Sequence, residues 1–444
     1  MKTFQDFEAV GESLKGKTDF IRAAISEHKN SEDYQFAMTA REYDKQRNTT
    51  IMNYMKLLYT MSGVAVPDNY SANHKIVSNF FNRFITQQNQ YLLGNGLTLE
   101  NEANKAKLGK GFDQALQTLG HNALVEKVAF GFWNKDHMEV LKYTEFVPLW
   151  DEETAGLRAG IRFWQVDADK PLRVTVFEKD GYTEYIQRKD EDMEEMSPKR
   201  AYVRKVAKNP IDGKMILDRK NYPNFPIIPL WGNPARQSEL VGLRHSIDAF
   251  DLIKSGFAND LDDASQIYWI LENAGGMNDV EIKKFLERMK IVKGAALDDG
   301  QKATAHTIEI PYESRVAYLE RLEQDMYNDF QALNVTALTG GEKTATEIKA
   351  AYQPFDNKVD QYEYCVLEFL EQLFKIVGIE DNPTFKRSRI SNDKEQTEMV
   401  LAAAQYLDDD TILKKLPFLT ADEVKTILEN KSAQDLKRLD IIEE

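Results

Sequence analysis

The apolar positions of this chain switch period twice. Over residues 1–62 they recur at helical spacing: Phe4, Phe7 and Val10 fall at threes, and Ile21, Ala24 and Ile25 continue the pattern. Ser31 is placed to cap a further helical segment, YQFAMTAREYDKQRNTTIMNYMKLLYTM, which the Gly and Pro of GVAVPDN (residues 63–69) interrupt. The spacing predicts a third helix from near Ser71 through NHKIVSNFFNRFITQQNQYLLGNG, stopped by Gly94 and Gly96, and a fourth over GFDQALQTLGHNALVEKVAFGFW.

From Met138 to Leu230 the runs become short and alternating: MEVLKYTEFVPLW, GIRFWQV, LRVTVFEKDGYTEYIQR, RAYVRKVAK and KMILDRK. This period predicts an antiparallel β region, with Asp180-Gly181 as a hairpin turn. The charged run KDEDMEEMSPKR (residues 189–200) reads as a solvated loop, and NYPNFPIIPLWGNP, with four prolines, as an extended linker.

The helical period then returns in long stripes. Leu240, Leu243, Ile247, Phe250, Phe257, Leu261, Ala264, Tyr268 and Leu271 predict one helix of about 33 residues, about 50 Å long, with Lys254 as its interruption. A small insert follows: Gly275-Gly276, a short helix NDVEIKKFLERM, and strand-like KIVKGA and ATAHTIEI. A second long helix starts near Pro311, with its stripe on Tyr312, Val316, Leu319, Leu322, Met326, Phe330 and Leu333. After the loop NVTALTGGEKT a third begins near Ala345. Its stripe, Ile348, Tyr352, Phe355, Val359, Tyr362, Val366, Phe369, Leu373 and Ile376, alternates fours and threes, and Pro354 is expected to kink it. A short extended piece, NPTFKRSRI, leads to helical segments EQTEMVLAAAQYL and TADEVKTILEN. Helices this long with one apolar stripe do not bury it within a compact monomer. They do when copies pack head to tail about an axis.

Composition narrows the chemistry. The 444 residues are 42% hydrophobic and 11% aromatic, enough for packed cores, with 57 basic and 72 acidic residues for a net charge of −15. An acidic chain is poorly suited to gripping nucleic acid by its phosphates, because that affinity comes from clustered Lys and Arg. The one cysteine, Cys365, makes no intrachain disulfide. There is no signal-like start and no apolar run that approaches a bilayer span, so the expectation is a soluble intracellular protein.

No catalytic motif stands out. LTGGEKTA departs from the phosphate-binding loop pattern, with Glu342 where a glycine is required before the lysine. The six histidines (His28, His74, His121, His137, His245 and His306) are scattered. Asp260, Asp262 and Asp263 resemble a metal cluster only in composition: on a helix Asp260 and Asp263 share a face and Asp262 points away, so a solvated face is the simpler reading. No cofactor and no metal are predicted, and the chain is expected not to be an enzyme.

The order of elements carries more information than any motif. NHKIV…YLLGNG (residues 73–96), AFDLIKSGFANDLDD (residues 249–263) and TGGEKTATEIKAAYQPFDNKVDQYEYCVLEFLEQL (residues 339–373), in the sequence helical and β region, long helix, insert, long helix, Gly-rich loop, long helix, tail, resemble the portal proteins of tailed bacteriophages, specifically siphophages of Gram-positive hosts. The resemblance covers nearly the whole chain.

It implies an α+β, mainly helical portal fold assembled as a ring, usually of twelve, with a central channel. Residues 1–238 would be the wing, with 344–390 its long helix and extended segment. Residues 239–272 and 309–333 would be the stem, 273–308 the clip and 391–444 a short helical crown. Asn334, Val335, Thr336, Leu338, Thr339, Gly340, Gly341, Glu342 and Lys343 would form a tunnel loop facing double-stranded DNA, which passes without sequence specificity.

Implied partners are terminase and head-completion (adaptor) proteins at the clip, and major capsid and scaffold proteins at the wing, with no membrane. The expected place is the virion, at a capsid vertex, after assembly in the host cytoplasm. A non-channel phage head or scaffold-like protein is the alternative.

Two charge patterns refine these expectations. In the clip, Lys283, Lys284, Arg288, Lys290 and Lys293 nearly balance the acidic residues and are the candidate docking positions. The stem is acidic: residues 239–272 carry seven acidic against two basic side chains, and residues 309–333 six against two. Asp260, Asp263, Glu320 and Glu323 are the candidate channel wall, where negative charge would keep DNA from adhering.

Overall fold

The computed structural model describes residues 2–60, 62–69, 71–189, 191–208, 215–264, 268–272, 279–291, 302–306, 312–336, 345–388, 397, 400–416, 419, 423–424 and 426–431. They fall into two compact units: Met1–Asn334 with Pro354–Lys386, and Val335–Gln353 with Arg387–Glu444.

The first unit opens with α1 (Phe4–Ala9), α2 (Leu14–Asn30), α3 (Glu32–Asp44) and α4 (Thr49–Met52). Ser31 caps α3 as the sequence suggests, and Thr3 caps α1 as well. Thr3 and Asp6 form a reciprocal capping box, and the Ser31 hydroxyl accepts from the Tyr34 N–H at 3.2 Å.

The expected helix through MKLLYTM is instead a hairpin, β1 (Leu57–Tyr59) paired antiparallel with β2 (Ala65–Pro67). A three-residue apolar run has no period long enough to separate helix from strand. The third helix, α5 (Phe80–Leu93), also starts later than Ser71: residues 72–79 are not helical, and the N–H groups of His74, Ile76 and Ser78 go to side chains of a helix later in the chain. β3 (Leu97–Thr98), α6 (Glu102–Lys107) and α7 (Phe112–Glu126) follow. The fourth expected helix ends at Glu126; VAFGFW is β4 (Val128–Asn134), buried on both faces and therefore lacking alternation.

The β region holds β5 (His137–Lys142), β6 (Phe146–Trp150), β7 (Leu157–Trp164), β8 (Leu172–Glu178), β9 (Gly181–Gln187), β10 (Glu194–Arg200), β11 (Val203–Lys208), β12 (Met215–Lys220) and β13 (Ile227–Trp231). β10-β9-β8-β7-β6 form one antiparallel sheet, β13-β4-β5 a second and β11-β12 a ribbon. The β8–β9 hairpin is present, with Lys179-Asp180 as its two-residue loop and Gly181 at φ 146°. A Cβ at Gly181 would run into the Arg200 carbonyl oxygen.

Two expectations in this region are corrected. Residues 194–200 are an edge strand, where charged side chains discourage further pairing, not a loop. Ile227–Trp231, expected as a linker, pairs with β4 as an edge strand, a position that tolerates Pro229.

One core lies where Phe20, Ile21, Ala24 and Ile25 of α2 meet Ile161 of β7, Val174 and Val176 of β8 and Tyr185 of β9. A second joins Phe130 and Phe132 of β4 to Phe146, Phe177 and Tyr202.

Then come α8 (Arg244–Ala264), β14 (Tyr268–Glu272), α9 (Asp279–Ile291), β15 (Lys302–His306), α10 (Tyr312–Phe330) and α11 (Ala345–Val377), which contains Pro354 as a helical residue. The predicted 33-residue helix is therefore shorter: Tyr268 and Leu271 belong to β14, which pairs with β15 from Tyr268↔His306 to Glu272↔Lys302. KIVKGA begins as the end of α9, not as a strand. β16 (Thr384–Phe385) closes the first unit against β3. In the second unit a short helix, Asp409–Lys415, is capped by Asp408, whose carboxylate accepts from the Thr411 N–H at 3.3 Å.

Candidate functional site

α8 leaves the body of the first unit through a buried root. Leu240, Leu243, Ile247 and Phe250 are 0–7% exposed, and Phe250 meets Phe80 edge-to-face with ring centroids 5.1 Å apart. α10 returns beside it in the opposite direction. Phe257 contacts Tyr312 at 5.6 Å, while Tyr327 and Phe330, at the far end of α10, pack on Phe84 of α5. Beyond the root the pair opens: on the stripe Leu261 is 52% exposed and Tyr312 60%, and beside it Tyr318 is 51% exposed.

The carboxylates expected on 239–272 prove to be largely committed. Glu239 accepts from Lys358 Nζ at 2.6 Å and from Asn233. Asp248 accepts from the Tyr43 hydroxyl and, at 2.8 Å, from Thr50; burial and that carboxylate push the Tyr43 phenol above its ordinary range. Asp251 is fully buried, accepting from the Asn48 side chain and the Ser78 N–H, and burial raises its carboxyl above the usual range. Asp260 pairs with Arg315 of α10, and Asp262 with His74, a histidine that no local pattern places there. Hence Asp248 and Asp251 face the body rather than a lumen. On α10, Glu320 is exposed, Glu323 half-buried and Asp325 paired with Arg321. The side chain of Asp263 lies outside the described residues.

Asp251 also begins a ladder that no motif announced. Side chains at 251, 255 and 259 on α8 accept from the backbone N–H groups of Ser78, Ile76 and His74, at 2.9, 2.9 and 2.6 Å. Four helical residues rise about 6 Å and two extended residues about 6.6 Å, so the two periods match and the strap 74–78 lies along the helix. The only signal available beforehand was the i, i+4, i+8 spacing of three small polar residues.

Of the docking candidates, Lys283 and Lys284 are exposed on α9, whose Phe285 is buried; the side chains of Arg288 and Lys290, and Lys293 itself, lie outside the described residues. Of the loop candidates, Asn334 ends the first unit's segment and Val335 and Thr336 are exposed, while Leu338, Thr339, Gly340, Gly341, Glu342 and Lys343 lie outside the described residues. Among the described residues no group of His, Cys, Asp and Glu could hold a metal ion, and no helix is long and apolar enough to cross a membrane.

Comparison with known proteins gives a consistent result. A family model described as phage portal protein, SPP1 Gp6-like, matches residues 25–437. The portal protein of Clostridium phage phiCD119 is 29% identical over 234 residues, which span 50% of this chain and 52% of that protein. The portal protein of Bacillus phage SPP1 is 23% identical over 472 residues, 94% of this chain and 86% of that protein. Among solved structures, a chain from the virion of a native gene transfer agent particle aligns with a TM-score of 0.44 at 11% identity, covering 77% of this chain and 90% of that one. A chain from the neck of the native particle, computed with C12 symmetry, aligns at 0.42 and 11% identity over 77% and 90%.

Proposed function

The chain belongs to the SPP1 Gp6-like family of phage portal proteins, and from that premise we propose that copies of it close into a ring, of twelve subunits, whose channel carries double-stranded DNA into and out of the capsid. The reading is carried by one observation, the change of burial along α8 and α10. Both are held firmly at the root, while Leu261, Tyr312 and Tyr318 are left open at the other end. Open apolar surface of this kind marks an interface, and a head-to-tail interface whose rotation closes yields a ring.

In this arrangement the stem pair lines the channel. Glu320 and Glu323 of α10 present negative charge to the duplex, with Asp263 and the Arg315-paired Asp260 beside them. A wall short of unpaired cations gives DNA no phosphate contacts to linger on, so it slides without sequence preference. The insert from 273 to 308, with Lys283, Lys284, Arg288, Lys290 and Lys293, docks terminase during filling and the head-completion proteins afterwards. The loop 334–343 faces the DNA, and the wing meets major capsid and scaffold proteins. Its place is one vertex of the virion, after assembly in the host cytoplasm.

The test uses Glu320→Lys with Glu323→Lys, which avoids breaking the Asp260–Arg315 pair. Rings of the variant, verified by negative-stain imaging, should package DNA more slowly at low salt and recover as salt screens the added attraction. Unchanged low-salt packaging by intact rings would remove these positions from the channel wall.

A further inference from the structure

The hairpin β1–β2 stands apart from the stem pair, and its composition is unusual for a surface. Leu57, Leu58, Tyr59, Val64 and Val66 are 39–72% exposed, with apolar side chains open on both strands. A two-stranded ribbon is marginally stable in water by itself, and a contiguous apolar patch marks a site of association. Its base is nevertheless held: Asp251 ties Asn48 on the entering side to Ser78 on the leaving side, Lys75 donates to the Met52 carbonyl, and the strap runs on along α8.

A second open feature lies between α8 and α10. Ile253, Gly256, Asp260, Ser314, Arg315 and Tyr318 line a groove of about 380 Å³. A Cβ on Gly256 would meet nothing within 4 Å, so the notch above it is empty of this chain's own side chains among the described residues.

The two features lie on opposite sides of one helix. At about 100° per residue, positions 251, 255, 259 and 262, which hold the strap, cluster within about 80°, whereas 253, 256 and 260 sit about 140–200° from Asp251. Each copy therefore offers a projecting apolar hairpin on one side and a receiving groove on the other, the two unlike surfaces that a head-to-tail contact requires.

We propose that the β1–β2 hairpin of each copy seats in the α8–α10 groove of a neighbouring copy of the same chain, with Tyr59 over Gly256. This inference rests on the ring reading above and names its contact. Charge complements shape. Between 52 and 76 the cations are Lys75, exposed, and Lys56, half-buried, while Asp68 is buried. Apart from the two carboxylates given to the channel wall, α10 carries Glu313, Asp325 and Asp329 against Arg315 and Arg321, both already paired with carboxylates.

Three full-length variants test it: Tyr59→Asp, Gly256→Trp, which fills the groove in open space, and Tyr59→Cys with Gly256→Cys in a Cys365→Ser background. Light scattering after gel filtration reads mass, and circular dichroism melting reads the fold. We expect Tyr59→Asp and Gly256→Trp to weaken assembly at least tenfold with unchanged melting of the monomer, and the paired cysteines to give a ladder of covalent multimers on oxidation. Rings of normal mass in both single variants, with no ladder from the pair, overturn the hairpin contact and leave the ring standing. A wild-type chain that stays a monomer with its scaffold present overturns the ring reading, and the contact with it.

Discussion

Helix α11 and the pair α8–α10 carry the same signature in sequence, a single apolar stripe at alternating threes and fours, and the structure treats them differently. Along α11, Phe355, Val359, Tyr362, Val366, Phe369 and Leu373 are all at most 1% exposed. Tyr362 even finds a partner for its hydroxyl, donating to Asn89 Oδ1 at 3.0 Å, while Tyr91 donates to Asp356 at 2.7 Å. Along α8 the same stripe passes from Ile247, 1% exposed, to Leu261, 52% exposed. An apolar stripe therefore says that a surface will be covered, and not by what. α11 is covered within its own copy, by α5 and α7 among others; the outer part of α8 and α10 is left open by this chain.

Substitutions can sharpen that contrast. The largest effect is expected inside α11: Phe369→Ala removes a fully buried ring and should destabilise the monomer by about 3–5 kcal/mol in urea unfolding. A loss below about 1 kcal/mol would mean that α11 is not packed as described. Next is Asp251→Ala at the root of α8, which strips a buried acceptor from Asn48 and from the Ser78 N–H. It should cost about 1–3 kcal/mol and raise hydrogen exchange of the Ser78 amide; protection equal to wild type there would count against the strap's anchorage. The smallest effect on the monomer is expected from Leu261→Ala, within about 0.5 kcal/mol, since the side chain is already half in water. Its effect should appear instead as weaker assembly in concentration-dependent light scattering. If Leu261→Ala destabilised the monomer as much as Phe369→Ala, the two stripes would be equivalent and the contrast would fail.

Particular residues show which parts were legible beforehand. Ser31 as a cap, the start of α11 at Ala345, the hairpin of β8 and β9, and the apolar roots at Leu240, Leu243 and Ile247 are all local or periodic features, and they stand. The errors share a cause. LLY, the 194–200 run and IIPLW were too short, too charged or too proline-rich to read as strands, and each became one because an antiparallel partner was within reach. Tyr268 and Leu271 continued a helical count by chance of spacing and belong to a strand whose partner lies about 34 residues away in sequence, at residues 302–306.

Of the candidate wall, the sign of the charge was legible and its disposition was not. Seven carboxylates between 239 and 272 can be counted in any order. That Asp248 and Asp251 turn inward to Tyr43, Thr50, Asn48 and Ser78, and that Asp260 finds Arg315, depends on residues some 55 to 205 positions away.

By itself, then, the sequence determined the elements whose causes are local: caps, periodic helices, turn residues, an acidic balance with no catalytic motif, and an element order that marks the family. Tertiary structure decided what no short window contains. It chose which stripe is covered at home and which is left open, which carboxylates are spent in the body, and which face of α8 the strap occupies. The physical reason is that periodicity reports the chemistry of a helix face, whereas burial, pairing and pKa depend on what arrives at that face from elsewhere in the chain.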